Sequence, residues 1–155
     1  MAGRIEARLT ELGITLPKAA TPVANYVPFV VAGNLVFISG QGPMGPNGVE
    51  YKGKLGRDLE PDEGKKAARL TGLNLIAQLK EAVGGDLDRV KRCVKLLGFV
   101  NSIPEFSQQP AVINGASDLM VEIFGDAGRH ARSAVSAPSL PIDIAVEIEA
   151  IFEIE

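Results

Sequence analysis

Two kinds of charged side chain near the end of the chain have the chemistry of a polar site. In the closing stretch GRHARSAVSAPSLPIDIAVEIEAIFEIE, Arg132 precedes a segment where Val146, Ile148, Ala150, Phe152 and Ile154 interleave with Glu147, Glu149, Glu153 and Glu155. Successive side chains of a strand point to opposite faces, so this pattern reads as a half-buried strand with one acidic face. Two uses of that face are open: a solvated edge that discourages sheet-to-sheet pairing, or one glutamate set opposite Arg132 in a polar site.

The remaining reactive residues exclude several chemistries. His130 is the only histidine, so the multi-imidazole site of a catalytic zinc is out of reach, and neither HExxH nor paired cysteines occur; no metal is expected. Ser39 lies in ISGQ, which is not the strand–elbow–helix setting of a G-x-S-x-G nucleophile. GQGPMG matches neither a phosphate-binding P-loop nor a complete dinucleotide fingerprint, so its glycines read as backbone geometry. Cys93, the single cysteine, sits in the apolar run CVKLLGFV and reads as a buried, inert thiol in a chain with no intramolecular disulfide. His130 reads as structural.

The chain has 155 residues, 46% of them hydrophobic and 23% charged, with no tryptophan; this suits one packed domain. Its net charge of −3 and pI near 5.3 have the wrong sign for general attraction to phosphate backbones, so no nucleic acid partner is expected. Lys91, Arg92 and Lys95 read as the wet face of a strand. No stretch approaches the roughly 20 apolar residues of a membrane helix, and MAGRIEARLTELG has no long apolar leader core, so a cytoplasmic protein without a membrane partner is expected.

These residues must be positioned by regular elements. Ile5, Leu9 and Leu12 share one face of a short opening helix that Gly13 can end. FVVAGNLVFISG reads as a hairpin around Gly33-Asn34, and the Gly/Pro-rich GQGPMGPNGVEYKGKLG as loop with a short extended piece. DLEPDEGKKAARLTGLNLIAQLKEAVGG is the clearest helix, with Ala67, Leu70, Leu73, Ile76 or Ala77, Leu79 and Val83 at threes and fours, Asp62 and Glu63 at its positive end and Gly84 as its stop. RVKRCVKLLGFV reads as a strand, AVINGASDLMVEIFG as a helix burying Ile113, Ala116, Met120 and Ile123, and RSAVS and IDIAVEIEAIFEI as two closing strands. The sum is an α+β domain with helices on one face of a mixed sheet. It spans residues 1–155 with residues 1–20 as an N-terminal extension.

Taken together, NYVPFVVAGNLVFISGQGP, the asparagine-bearing VINGA and ARSAV…LPIDIAVEIEAI resemble the RidA (YjgF) family of reactive-intermediate deaminases, from about Tyr26 to Ile151. The ordered set S-G-Q, A-R-S and E-I-E-A-I carries the resemblance. It implies a chorismate-mutase-like fold, a homotrimer with ligand clefts between subunits, and hydrolysis of enamines or imines such as 2-aminoacrylate to 2-keto acids and ammonia.

By the same resemblance, Arg132 is the clamp for the substrate carboxylate and Glu147 the residue that positions the attacking water. Tyr26, Ser39, Gly40, Asn114 and Ala134 fall on other cleft positions. The residue types suit these roles. A guanidinium fork holds a planar carboxylate through two charge-assisted bonds where lysine offers a point charge, and a fixed imine carbon lets a held water attack without a cofactor. The alternative implied function is a non-catalytic trimeric module that binds or senses small carboxylate metabolites. Where family members read A-R-S-C-V-E-V-A-R-L-P-K-D, this chain has Ala134, Ser136, Ser139 and Ile142 in place of Cys, Glu, Arg and Lys. Structural alternatives for the single residues are a turn bond for Ser39, outward solvation for Asn114, and a core-packed ring with its hydroxyl at the rim for Tyr26.

Overall fold

A computed structural model describes residues 3–21 and 24–155. Helix α1 (Arg4–Glu11) buries Ile5 and Leu9. The Asp88 carboxylate accepts its first free amides, from Arg4 and Ile5, both at 2.9 Å, and Gly13 at φ +70° follows its end. The tight turn of Gly33 (φ +63°) and Asn34 joins β1 (Phe29–Ala32) to β2 (Leu35–Gln41) as an antiparallel hairpin. The Gly/Pro-rich loop contains a minimal ribbon, β3 (Met44–Gly45) with β4 (Gly48–Val49).

Helix α2 (Pro61–Ala82) begins with a reciprocal capping box between Glu60 and Glu63 and has Pro61 in its first turn, where the ring's missing N–H costs nothing. Strand β5 (Val90–Asn101), helix α3 (Gln109–Phe124), strand β6 (Ala131–Ala137) and strand β7 (Val146–Ile154) complete the fold. The five-stranded sheet runs β1-β2-β7-β5-β6. β5 and β6 are parallel; the other neighbours are antiparallel. Among the described residues no helix is long and apolar enough to cross a membrane.

α2 and α3 cover one face of the sheet. Val36, Leu96, Val100, Ile148 and Phe152 from the strands meet Leu75, Ile76, Leu79, Ile113 and Leu119 from the helices in one buried core. The helices approach closely at Gly115, where an added Cβ would lie 2.0 Å from the Lys65 carbonyl oxygen. Cys93 belongs to this core, and burial pushes its thiol up to about 12, so it remains protonated and unreactive. Lys91, Arg92 and Lys95 are exposed.

Two details depart from the sequence reading. In α2, the expected Ala67, Ile76 and Leu79 are buried, with Val83 just past its end, but so is Leu75, whereas Leu70 and Leu73 are only partly so; the helix is packed by the sheet and by α3, and its buried arc is wider than a one-sided stripe. β7 begins at Val146 rather than Ile142, because Pro141–Asp143 form a short 3₁₀ turn with Ile142 at φ 50° and Asp143 at φ 60°. A β-branched side chain in the left-handed region is strained, and Ile142 is 64% exposed. Ile142→Asn should therefore stabilise the fold by about 1 kcal/mol, read as a higher urea midpoint; a lower midpoint contradicts the strain assignment.

The opposite face of the sheet has no helix over it. Cross-strand register puts Val30, Phe37, Ile151, Leu97, Phe99 and Val135 on that side, with Val30, Phe37 and Val135 exposed by 53%, 42% and 44%.

Candidate functional site

Arg132 stands on edge strand β6 in register with Leu96, which the helices bury, so its side chain rises on the helical side and meets α3. Nη1 donates to Asn114 Oδ1 at 2.8 Å and to Ser117 Oγ at 3.0 Å. Nη2 donates to the Pro110 carbonyl at 3.4 Å. Asn114 and Ser117 are three apart on a helix and so share a face. This explains an asparagine in mid-helix: it faces the arginine rather than water.

A guanidinium has five N–H donors. Those three bonds leave Nε–H and one Nη2–H without a partner among the described residues, and Nε and Nη2 form the edge of the guanidinium whose spacing matches the two oxygens of a carboxylate. Among the described residues no carboxylate lies within ion-pair reach of Arg132, so the arginine is not spent on a structural ion pair at the strand end. The result is a partly buried cation, fixed by neutral acceptors and with its carboxylate-matching edge free. Ala134 follows on the same side of β6, in register with Gly98, and adds no bulk beside the guanidinium.

Ser117 extends the cluster to His130, whose Nε2 lies 2.9 Å from the hydroxyl oxygen while Nδ1 lies 2.7 Å from the Gly128 carbonyl. A carbonyl only accepts, so Nδ1 carries the proton and Nε2 is left as the acceptor of the Ser117 hydroxyl proton. Burial pushes His130 below its ordinary value; the Gly128 bond opposes this and the Arg132 charge adds to it. The imidazole is neutral, and it is tied to the arginine through one hydroxyl.

Glu147, Gly40, Ser39 and Tyr26 form a second cluster. Between Ile38 and Gln41 three steps along β2 span only two of β7, a bulge at Ser39 and Gly40 that breaks the ladder locally. A Cβ on Gly40 would lie 3.0 Å from Glu147 Cγ and Cδ, so the glycine makes room for the carboxylate. Ser39 donates its hydroxyl to the Val27 carbonyl at 2.7 Å and its amide to the Pro28 carbonyl at 2.9 Å, pinning the connector that carries Tyr26. Tyr26 itself is 55% exposed and not core-packed, because it lies on a bend ahead of β1, outside the sheet. With Thr21, Gly40, Gln41 and Met44 it borders a cavity of about 160 Å³.

Glu147 is half-buried, and burial, then its neighbour Glu149, pushes its carboxyl above the ordinary value. Its carboxylate accepts no hydrogen bond from the described residues. A partly desolvated carboxylate with free lone pairs can hold a water and accept its proton near neutral pH.

The two clusters do not meet within one chain. Phe99 pairs with Glu147 on one side and Val135 on the other, whereas Arg132 pairs with Leu96. Positions 132 and 135 are three steps apart, an odd number that reverses the face, so Arg132 and Glu147 point to opposite sides of the sheet. No glutamate of β7 stands opposite Arg132 in its own chain. Ser117 and Pro110 were not singled out by the sequence; the spacing of Asn114 and Ser117 in NGAS was the available signal.

Residues 6–153 match the family model described as "YjgF/chorismate_mutase-like, putative endoribonuclease", a span that takes in most of α1. Protein TCP17 of Trypanosoma cruzi is 49% identical over 99% of this chain and 96% of its own length. The Agrobacterium tumefaciens protein Atu1372, of unknown function, is 50% identical over 97% of this chain and 92% of its own, with a TM-score of 0.91. RidA of a Psychrobacter species is 31% identical over 88% of this chain and 94% of its own, with a TM-score of 0.60. With the family match across nearly the whole chain and the same arrangement of helices on a mixed sheet, the protein belongs to the RidA/YjgF family and has its chorismate-mutase-like fold.

Proposed function

We propose that this protein hydrolyses reactive enamine and imine intermediates, such as 2-aminoacrylate, to 2-keto acids and ammonia, in clefts between subunits of a homotrimer. The observation that carries the reading is Arg132: a partly buried guanidinium with neutral partners only and a vacant edge of two parallel donors. A partly desolvated cation without a counter-ion has lost some of its hydration, and a carboxylate ligand offsets that loss while being selected by the charge. Glu147 of a neighbouring subunit then serves the reacting carbon. An enamine first shifts a proton from nitrogen to its terminal carbon and becomes the imine. The Glu147 carboxylate takes a proton from water as the oxygen adds to the C=N carbon, and returns it to the nitrogen, giving a neutral carbinolamine. The carbinolamine hydroxyl then loses its proton to the nitrogen as C=O forms and the C–N bond breaks, so the amine leaves as ammonia.

The uncovered sheet face supports the assembly. Val30 and Phe37, paired across β1 and β2, and Val135 on β6 are exposed apolar residues on the sheet face that no helix covers, and a neighbouring subunit seated there would bury them. Since Arg132 and Glu147 point to opposite sides of their own sheet, an associated neighbour is also what allows one small ligand to touch both. Phe37→Asp is expected to convert a trimer into monomers in sedimentation, with loss of turnover; a trimer of unchanged mass contradicts this use of the face.

Turnover separates this function from the binding or sensing module. When a dehydratase generates 2-aminoacrylate, added protein should speed the release of pyruvate and ammonia, and Arg132→Ala should not. Pyruvate binding without any acceleration would favour the sensor. RNA cleavage, named for some relatives, is less well served: the single histidine has both ring nitrogens engaged, and the net charge is −3.

A further inference from the structure

We propose that Ser117 and His130 are positioning residues for Arg132: the imidazole takes the Ser117 hydroxyl proton, turns an oxygen lone pair onto Nη1, and so aims the Nε/Nη2 edge at the substrate carboxylate. The proposal deepens the carboxylate-clamp reading above and rests on it.

The direction of every bond in this chain is fixed by chemistry. A guanidinium only donates, so Ser117 Oγ must accept from Arg132 Nη1 and its own proton has to go elsewhere. Within the cluster the acceptor at hand is His130 Nε2, 2.9 Å away. That nitrogen is an acceptor because Nδ1 gives its proton to the Gly128 carbonyl. The Gly128 carbonyl is itself held in place: an added Cβ at Gly128 would lie 2.1 Å from the Met120 carbonyl oxygen, so the turn of Gly125–Gly128 packs backbone to backbone against the end of α3. The relay thus runs from a rigid turn through a neutral ring and a hydroxyl to one nitrogen of the guanidinium. Asn114 takes the other Nη1 proton at 2.8 Å, and with both protons committed the plane of the guanidinium is set.

A clamp holds the carboxylate equally in ground and transition states, because the carboxylate does not react. Loosening it should raise KM and leave kcat nearly unchanged. Ser117→Ala and His130→Ala each remove one link worth about ten-fold in affinity. Ser117→Thr keeps the hydroxyl and should restore binding. The experiment measures pyruvate affinity and steady-state enamine hydrolysis for these variants, separating KM from the turnover number. It is paired with ¹⁵N NMR of the wild-type imidazole, which is unambiguous because the chain has a single histidine.

The expected result is a KM and pyruvate Kd raised about ten-fold in both alanine variants, kcat within about two-fold, recovery in Ser117→Thr, and the Nδ1–H tautomer in wild type. Wild-type affinity in Ser117→Ala, or an Nε2–H tautomer, overturns the inference, and the NMR arm decides even where a variant does not fold. If wild type itself neither binds pyruvate nor turns over the enamine, the clamp reading fails; if wild type does both and the variants match it, only the relay fails.

Discussion

Arg132→Ala should weaken pyruvate binding by at least about 100-fold and lower kcat/KM for 2-aminoacrylate by a similar factor. The substitution removes two parallel charge-assisted bonds of roughly 1.5–3 kcal/mol each, and tenfold corresponds to about 1.4 kcal/mol. The loss falls on ligand and not on the fold, since the three groups that hold the guanidinium, Asn114, Ser117 and the Pro110 carbonyl, are partly exposed or accept water readily. Arg132→Lys should recover only a small part. An ammonium keeps the charge, but cannot bond the α3 acceptors and still present two donors in one plane. Calorimetric titration with pyruvate checks this; Arg132→Ala within about three-fold of wild type would remove the clamp from the account.

Glu147→Gln should lower kcat by about 10² to 10⁴, the range of a lost general base, while pyruvate affinity stays within a few-fold because the carboxylate is held by Arg132. The base is active when deprotonated, and burial with the Glu149 charge raises its pKa above 4.5. Wild-type activity should therefore fall as pH drops through that raised value, and the Gln variant should lack this acid limb. The stability sign is opposite. The folded state binds the proton more tightly than the unfolded chain, so stability falls as pH rises from 4.5 through the raised value. Glu147→Gln should then be slightly more stable than wild type near neutral pH. A variant both inactive and clearly less stable would mark Glu147 as structural.

Local signals in the sequence were sufficient for the elements. Gly33-Asn34 announces its hairpin because a two-residue turn needs the left-handed backbone Gly33 adopts at φ +63°. Ile113, Ala116, Met120 and Ile123 mark the buried side of α3. The α2 stripe was less legible: Ile76 and Leu79 are buried as their spacing indicates, but Leu75 is buried too because the helix meets the sheet and α3 at once, and periodicity reports one face only.

The site was legible by residue type, not by arrangement. Whether a carboxylate reaches Arg132 depends on which helix packs on β6, and that is tertiary. Alternation along β7 assigns Glu147 a face of its own strand, but its face relative to Arg132 is set by register, through Phe99 on one strand pair and Leu96 on the other. His130 reads as structural from its isolation in the sequence; only the fold places it beside Ser117, where its ring supports the arginine.

The most direct test of a site shared between chains is to co-express Arg132→Ala with Glu147→Gln. Each variant alone lacks one half at every interface. In a randomly mixed ring, about a quarter of the interfaces pair an intact Arg132 with a neighbour's intact Glu147. The account predicts that mixed oligomers, verified by native mass spectrometry, regain roughly that fraction of wild-type turnover. Verified mixed oligomers as inactive as both parents would contradict it.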